Sequence, residues 1–258
     1  MLMDFKGKLG NYKIIETEDN TLTVYSEYFD EACHNLSGAY NETLYNYISG
    51  CFIPEQIAQN KNVHVLDVGF GIGLGLKALI ATAKEIPSIN LKDFSYTSME
   101  LDEDLFLWSA QTNFPELNFT KYENTYQTRV SIAPELYLSV TVYIGDGRKT
   151  LPHAYKMGKL PMMTAIFQDA FSPKKNPTLW TVEWFEDLKK MSHPEVYLST
   201  YSSSVSIRKT LLATGWQIEN AKGFGQKKTM TKARLIGTTD PLLSAELSRS
   251  KALELRDI

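Results

Sequence analysis

Cysteine is nearly absent: Cys33 and Cys51 are the only two in 258 residues. Neither has a Cys or His partner at metal-ligand spacing, and two thiols cannot build a disulfide framework. A stapled secreted scaffold is therefore excluded, and the thiols read as those of a reducing cytosol. Histidine is also scarce. His34, His64, His153 and His193 show no ligand spacing, so no metal site is expected. His64 sits in an apolar run and reads as a packing residue. No Ser-His-Asp order and no nucleophile elbow is recognisable. No run approaches the ~18 apolar residues that span a bilayer, and the N-terminus has no apolar signal core. The expectation is a cytoplasmic protein that does not enter a membrane. Excess positive charge is missing too. Lys and Arg number 27 against 30 Asp and Glu, so only a local patch could serve a nucleic-acid partner. There is no internal repeat and no low-complexity tract.

The pattern that is present is periodic. Residues 1–60 read as an N-terminal extension with a β-like run at 21–25, a helix at 41–49 capped by Asn41, and a helix or connector at 52–61. Regular alternation then begins. Strands are predicted at 62–68, 94–101, 136–144, 162–168 and 195–200, and helices at 74–84, 104–113, 181–191 and 205–213, the last stopped by Gly215. Runs at 216–221 and 232–237 are joined without a helix, which suits an antiparallel hairpin at one edge. Strands alternating with helices predict an α/β, Rossmann-like, mostly parallel twisted sheet over residues 61–240, with a C-terminal tail over 241–258.

The most informative stretch joins the first of these strands to its helix: Asp67-Val-Gly69-Phe-Gly71-Ile-Gly73. Glycines there let the backbone turn sharply and let a ligand approach it. The spacing is G-x-G-x-G. Leu74 and Leu76 occupy the third-glycine positions of a dinucleotide fingerprint, which disfavours a pyrophosphate on the helix N-terminus. An acid before the glycines instead suits a ligand bearing a cationic amine. Ligands of open α/β sheets bind at the carboxyl ends of the strands, and four successive predicted strands end in an acid: Asp67, Glu100, Asp146 and Asp169. Glu100 is placed to accept both ribose hydroxyls of a nucleoside, a role for which Asp102 competes, and Asp146 to accept from an adenine amino group.

These residues resemble the cofactor motifs of class I S-adenosylmethionine methyltransferases. A sharper resemblance covers most of residues 21–237. Asp169-Ala-Phe171-Ser-Pro-Lys174-Lys-Asn-Pro-Thr-Leu-Trp180-Thr and Lys222-Gly-Phe224-Gly-Gln-Lys227-Lys-Thr-Met are similar to the methyltransferase that makes 5-methylaminomethyl-(2-thio)uridine at the tRNA wobble position. Asp30 to Ile48, with its Gly38-x-x-x-Glu42 pattern, resembles that family's entry region. Gln226 departs from it, standing where a basic residue often follows the Phe-Gly pair.

The resemblance implies a tRNA N-methyltransferase with S-adenosylmethionine as cofactor. Gly69, Gly71, Gly73, Asp67, Glu100 and Asp146 would lie around the donor, and Asp169 would face the reacting amine. Bifunctional members carry a flavin-dependent oxidase; here the aminomethyl precursor would come from a separate oxidase or another upstream enzyme. Methyl transfer from a sulfonium is an in-line displacement that needs proximity and a neutral amine. A carboxylate at Asp169 can accept an N–H, aim the lone pair and take a proton. Phe171, Trp180 and Phe224 either wall a splayed-out uracil or belong to the core. Seven basic residues between 204 and 234, among them Lys222 and Lys227, face one acid, Glu219, and with Lys174 and Lys175 form either a tRNA phosphate patch or a solvated face. Two other functions fit the same fold: an aminopropyltransferase of the spermidine-synthase type, which needs an acid-lined polyamine channel, and a nucleotide- or RNA-binding module without turnover.

Overall fold

A computed structural model describes residues 4–86, 91, 93–225 and 227–257. The N-terminal extension is a sheet of its own. Strands β1 (Phe5–Lys6), β2 (Asn11–Glu16), β3 (Leu22–Ser26) and β4 (Glu31–Ala32) pair antiparallel in that order. Helix α1 (Ala39–Thr43) follows and widens into a π-helical turn over Leu44–Ser49 before α2 (Ile53–Ala58). The helix predicted to start at an Asn41 cap thus begins earlier. Its exposed amides find acceptors in the β2–β3 turn: Ala39 N donates to Thr17 Oγ1 at 3.5 Å and Asn41 N to Asp19 Oδ2 at 3.2 Å. A cap contributed from 22 residues away leaves no local signature.

Strand β5 (Val63–Val68) is buried at all six positions. Val63 and Val65 enter the apolar cluster on one face of the sheet, and Leu66 and Val68 the cluster on the other, as the two-residue period of a central strand requires. After it come α3 (Leu74–Glu85), β6 (Phe94–Glu100), α4 (Glu103–Asn113), β7 (Thr120–Tyr122), β8 (Thr125–Ala133), β9 (Leu136–Ile144), α5 (Gly147–Lys156) and β10 (Met163–Phe167). A 3-10 turn at Pro177–Trp180 leads into α6 (Val182–Lys190), β11 (Ser192–Thr200), α7 (Val205–Ala213), β12 (Gln217–Lys222), β13 (Thr229–Arg234) and α8 (Pro241–Arg249).

The large sheet has the order β12-β13-β11-β10-β5-β6-β9-β8-β7. Its five central strands, β11 to β9, are parallel. The chain runs outward from β5 through β6 to β9 and then returns to the far side of β5 as β10. That reversal opens a crevice between the carboxyl ends of β5 and β10, where ligands of such sheets bind.

The expected edge hairpin is present. β12 and β13 pair antiparallel from Gln217↔Arg234 to Lys222↔Thr229, three residues earlier on the second strand than the sequence suggested, and β13 is the member that joins β11. The opposite edge is also antiparallel, through β7 and β8, which the sequence reading did not anticipate. Helix α5 was missed as well: Pro152 lies inside it and its apolar content is low. Residues 241–257, expected as a tail, hold α8 and a segment that packs back on α6 and α7. Tyr12, Val24, Ile72, Leu74 and Leu105 form a third small cluster that seats the N-terminal sheet on α3 and α4. Among the described residues, no helix is long and apolar enough to cross a membrane.

Candidate active site

The turn after β5 is built for close approach. Gly69 has φ 107° and Gly73 φ 78°, left-handed conformations that side chains resist. A Cβ on Gly73 would also stand 2.5 Å from the Phe114 ring. Gly71 N donates to Glu100 Oε2 at 3.0 Å, and Asp102 N donates to Glu100 Oε1 at 3.0 Å, so the carboxylate ending β6 is oriented from both sides.

A cavity of about 510 Å³ opens over this turn. Gly69, Gly71, Glu100, Asp146, Asp169 and Phe171 line it. The N-terminal extension adds Tyr28, Phe29, Cys33 and His34, none of which the sequence reading had placed at the site. They belong to a lid. The Phe29 ring stacks on Phe171 at 4.3 Å between centroids, Ser172 N donates to Glu31 Oε2 at 2.9 Å, and Lys175 pairs with Asp30 at 2.6 Å. Two aromatic residues followed by two acids at 28–31 were the available signal, but nothing local pointed them toward residue 171.

Three of the four strand-end acids therefore meet in one cavity, and Asp67 stands beneath it. Asp67 is 3% exposed, accepts from Tyr96 Oη at 2.5 Å, and is absent from the lining. Burial pushes its carboxyl up to about 7. The same carboxylate packs on α3, where a Cβ added to Gly75 would lie 2.2 Å from Asp67 Oδ2. Gly75→Ala should improve helix propensity by about 1 kcal/mol, yet it must displace a carboxylate locked by Tyr96. Net destabilisation of roughly 1–3 kcal/mol is expected from overpacking, read as a fall of roughly 5 °C in melting temperature. A melting temperature at or above that of the parent chain would refute the locked Asp67–Tyr96 pair.

Glu100 and Asp102 are separated by geometry. Asp102 is fully buried and receives Lys8 N, Leu9 N, Tyr12 Oη and Asp104 N, so it ties the N-terminal sheet to the start of α4. Glu100 faces the cavity, and burial pushes its carboxyl up to about 7. Asp146 caps α5 by accepting from Arg148 N at 3.0 Å while its side chain stays 45% exposed at the cavity rim. Asp169 follows β10. Tyr47, from the π-helical turn, donates to its Oδ1 at 2.5 Å. Burial first, and the nearby Asp67 second, hold the Asp169 carboxyl well above the usual carboxylate range. The Ser172 amide, which an acid at 169 could cap, is taken by Glu31 instead.

The residues expected on the acceptor side divide. Phe171 lines the cavity. Trp180 does not; it is fully buried and its indole N–H donates to Phe171 O at 2.8 Å, bracing the loop from the core. Phe224 meets Tyr45 at 6.0 Å between centroids, and Tyr45 Oη donates to Lys222 O at 3.0 Å. Lys227 pairs with the buried Glu42 at 3.0 Å and lies 4.7 Å over the Tyr201 ring. These contacts clasp the β12–β13 loop to the helix that presents Tyr47. The basic segment 204–234 is consequently not one patch. Arg208 is buried on Thr231 and Asn220, Lys209 Nζ donates to Ser250 O, and Lys232 lies over Phe52. Lys174, Lys222 and Lys228 remain exposed, and Gln226 lies outside the described residues.

Known proteins bear on this arrangement. Residues 109–236 match a family described as S-adenosyl-L-methionine-dependent methyltransferase. An uncharacterized protein of Methanocaldococcus jannaschii is 27% identical over 85% of this chain and 58% of its own length. The tRNA 5-methylaminomethyl-2-thiouridine biosynthesis bifunctional protein MnmC of Azoarcus is 28% identical over 83% of this chain and 34% of that protein. The chain thus spans little more than half of the first relative and about a third of the second. The crystal structure of MnmC2 from Aquifex aeolicus superposes with a TM-score of 0.75 at 27% identity, covering 98% of this chain and 81% of that one. The description of the matched family names methyl transfer with S-adenosyl-L-methionine, and none of these matches is described as an aminopropyltransferase. With a mostly parallel sheet, a glycine turn at its switch point and that match over residues 109–236, the chain is similar to this S-adenosyl-L-methionine-dependent methyltransferase family.

Proposed function

We propose that the chain methylates the amine of 5-aminomethyl-(2-thio)uridine at the wobble position of tRNA. The observation that carries this reading is Asp169, a shielded carboxyl held by Tyr47 at the crevice between β5 and β10. The names of the MnmC relatives and of the MnmC2 structure support the choice of acceptor. The partner would be tRNA, a cytoplasmic molecule.

The residues fit the cofactor. The cavity falls in the size range of small-molecule sites, and Gly69 and Gly71 leave backbone open to it. Glu100 would accept the ribose hydroxyls, and Asp146 the adenine amino group. S-adenosyl-L-methionine supplies a methyl group already activated on a sulfonium. Asp169 accepts an N–H of the acceptor amine, turns its lone pair toward the cofactor side, and holds the proton that the ammonium must lose. Tyr47 keeps that carboxyl in place, and the stacked Phe29 and Phe171 exclude water. Lys174, Lys222 and Lys228 reach phosphates, making binding salt-dependent.

This assignment sets a pH dependence. In the free protein Glu100 holds its proton up to a pH of about 7. Ribose hydroxyls donate to the ionised form, so binding lowers its proton affinity. Affinity for S-adenosyl-L-methionine should therefore rise with pH, by up to about tenfold per unit below 7, and level off above it. Calorimetric titration from pH 5.5 to 8.5 measures this, and Glu100→Gln should flatten the curve. A constant affinity across that range would remove Glu100 from the ribose site. The acceptor itself is tested by mass spectrometry of wobble nucleosides after incubating hypomodified tRNA with the protein and labelled methyl donor. Label in 5-methylaminomethyl-(2-thio)uridine is expected. Binding of the donor with no label in that nucleoside would overturn the substrate.

A further inference from the structure

The last described residues, 250–257, run back across the molecule and end beside the cavity. Lys209 Nζ donates to Ser250 O at 2.8 Å, Leu255 N to Thr210 Oγ1 at 2.8 Å, and Val182 N to Leu255 O at 2.8 Å. Asp257 N donates to Glu183 Oε2 at 3.0 Å, and the Leu255 side chain packs on the cluster beneath α6 and α7. The segment is thus fastened to two helices before it delivers Asp257 to Arg148. Both oxygens of Asp257 accept from the Arg148 guanidinium, a two-point geometry that fixes direction as well as distance. The third contact points at the cavity: Arg148 Nη1 also donates to Thr178 O at 3.2 Å.

The position of Arg148 gives this network its meaning. It is the second residue of α5, and its own amide is the one capped by Asp146. Asp146 and Gly147 line one wall of the cavity, and Thr178 and Leu179 line another. One guanidinium therefore joins two walls that come from different parts of the chain, and its orientation is set by a third part. Arg148 is not itself in the lining. A separate loop and helix start joined only at the surface are free to spread. A fork anchored to a packed segment prevents that, which preorganises the site and reduces the entropy lost on binding.

We propose that Arg148, held by Asp257 of the C-terminal segment, is a positioning residue that fixes the Asp146 and Thr178 walls at the spacing the nucleoside end of the cofactor requires. The inference rests on the reading of this cavity as the S-adenosyl-L-methionine site. The side chains act through the walls they hold.

The full-length chain tests it by calorimetry with S-adenosyl-L-methionine and with adenosine, which occupies the nucleoside end alone. Arg148→Ala and Asp257→Asn should each weaken both ligands about tenfold, and the double variant should be no weaker than Arg148→Ala, since the two residues form one path. Asp257→Glu, which keeps the carboxylate, should recover most of the affinity. Turnover at saturating cofactor should change less than twofold. Affinities within twofold of the parent in both single variants would overturn the inference, and so would losses that add in the double variant. Loss of affinity matched by a collapsed melting temperature would reduce Arg148 to a fold-stabilising residue and overturn it equally. Glu100→Ala separates the two layers of the argument. If that variant also binds normally, the cavity is misassigned; if it alone binds poorly, only the positioning role fails.

Discussion

Asp169→Asn should bind S-adenosyl-L-methionine with unchanged affinity and yet lose about 10²–10⁴-fold in kcat, the range that positioned acid–base groups contribute. The two outcomes separate because of where the residue lies. Its Oδ1 already accepts from Tyr47 at 2.5 Å, and an amide oxygen keeps that bond and the local packing. The amide cannot take a proton from an ammonium. Free alkylamines are largely protonated at neutral pH, so the variant should recover part of its rate as pH rises and more of the acceptor arrives neutral. Single-turnover methylation of hypomodified tRNA between pH 7 and 9.5, alongside calorimetry for the cofactor, reads both effects. Full turnover at normal acceptor affinity would remove the proposed base. A rate loss accompanied by weakened cofactor binding would instead place Asp169 on the donor.

Glu100→Ala should produce the largest loss of cofactor affinity. The carboxylate is 9% exposed, faces the cavity and is oriented by the amides of Gly71 and Asp102. Hydrogen bonds to a charged acceptor contribute about 1.5–3 kcal/mol each. Losing two ribose contacts while leaving the Gly71 amide unpaired should weaken binding by about 100-fold or more. Glu100→Gln keeps one acceptor oxygen and the shape, so it should lie between the two. Equilibrium dialysis with labelled donor decides the matter, with the melting temperature of the free variants as a check on the turn. Affinity within a few-fold of the parent in Glu100→Ala would refute the site.

Much of this was legible beforehand because its causes are local. Asp67 to Gly73 combines a β-branched apolar run with alternating glycines, and both strand and turn follow from the backbone preferences of those residues. Strand-end acids could be counted along the chain because helices and strands alternate regularly there. Other features resisted reading because each half is ordinary by itself. Strand β8 lies between β9 and the edge strand β7, with one wet face on which polar residues alternate with the apolar ones, and its place in the sheet shows only when both neighbours pair with it. Helix α1 takes acceptors from Thr17 and Asp19. The pairing of Lys227 with Glu42 joins residues 185 apart in the chain and has no local signature.

By itself, then, the order of residues determined a parallel α/β sheet, the glycine turn at its centre and the set of acids at its strand ends, because φ preferences, apolar periodicity and short connections act within a few residues of one another. Only the tertiary structure decided which acids reach the cavity, that Asp67 sits beneath the turn while Asp169 opens onto it, and that residues 28–34 cover the site. Those outcomes depend on burial and on partners separated by up to about half the chain, and a carboxylate's role follows from the water and charges around it, which sequence position does not specify.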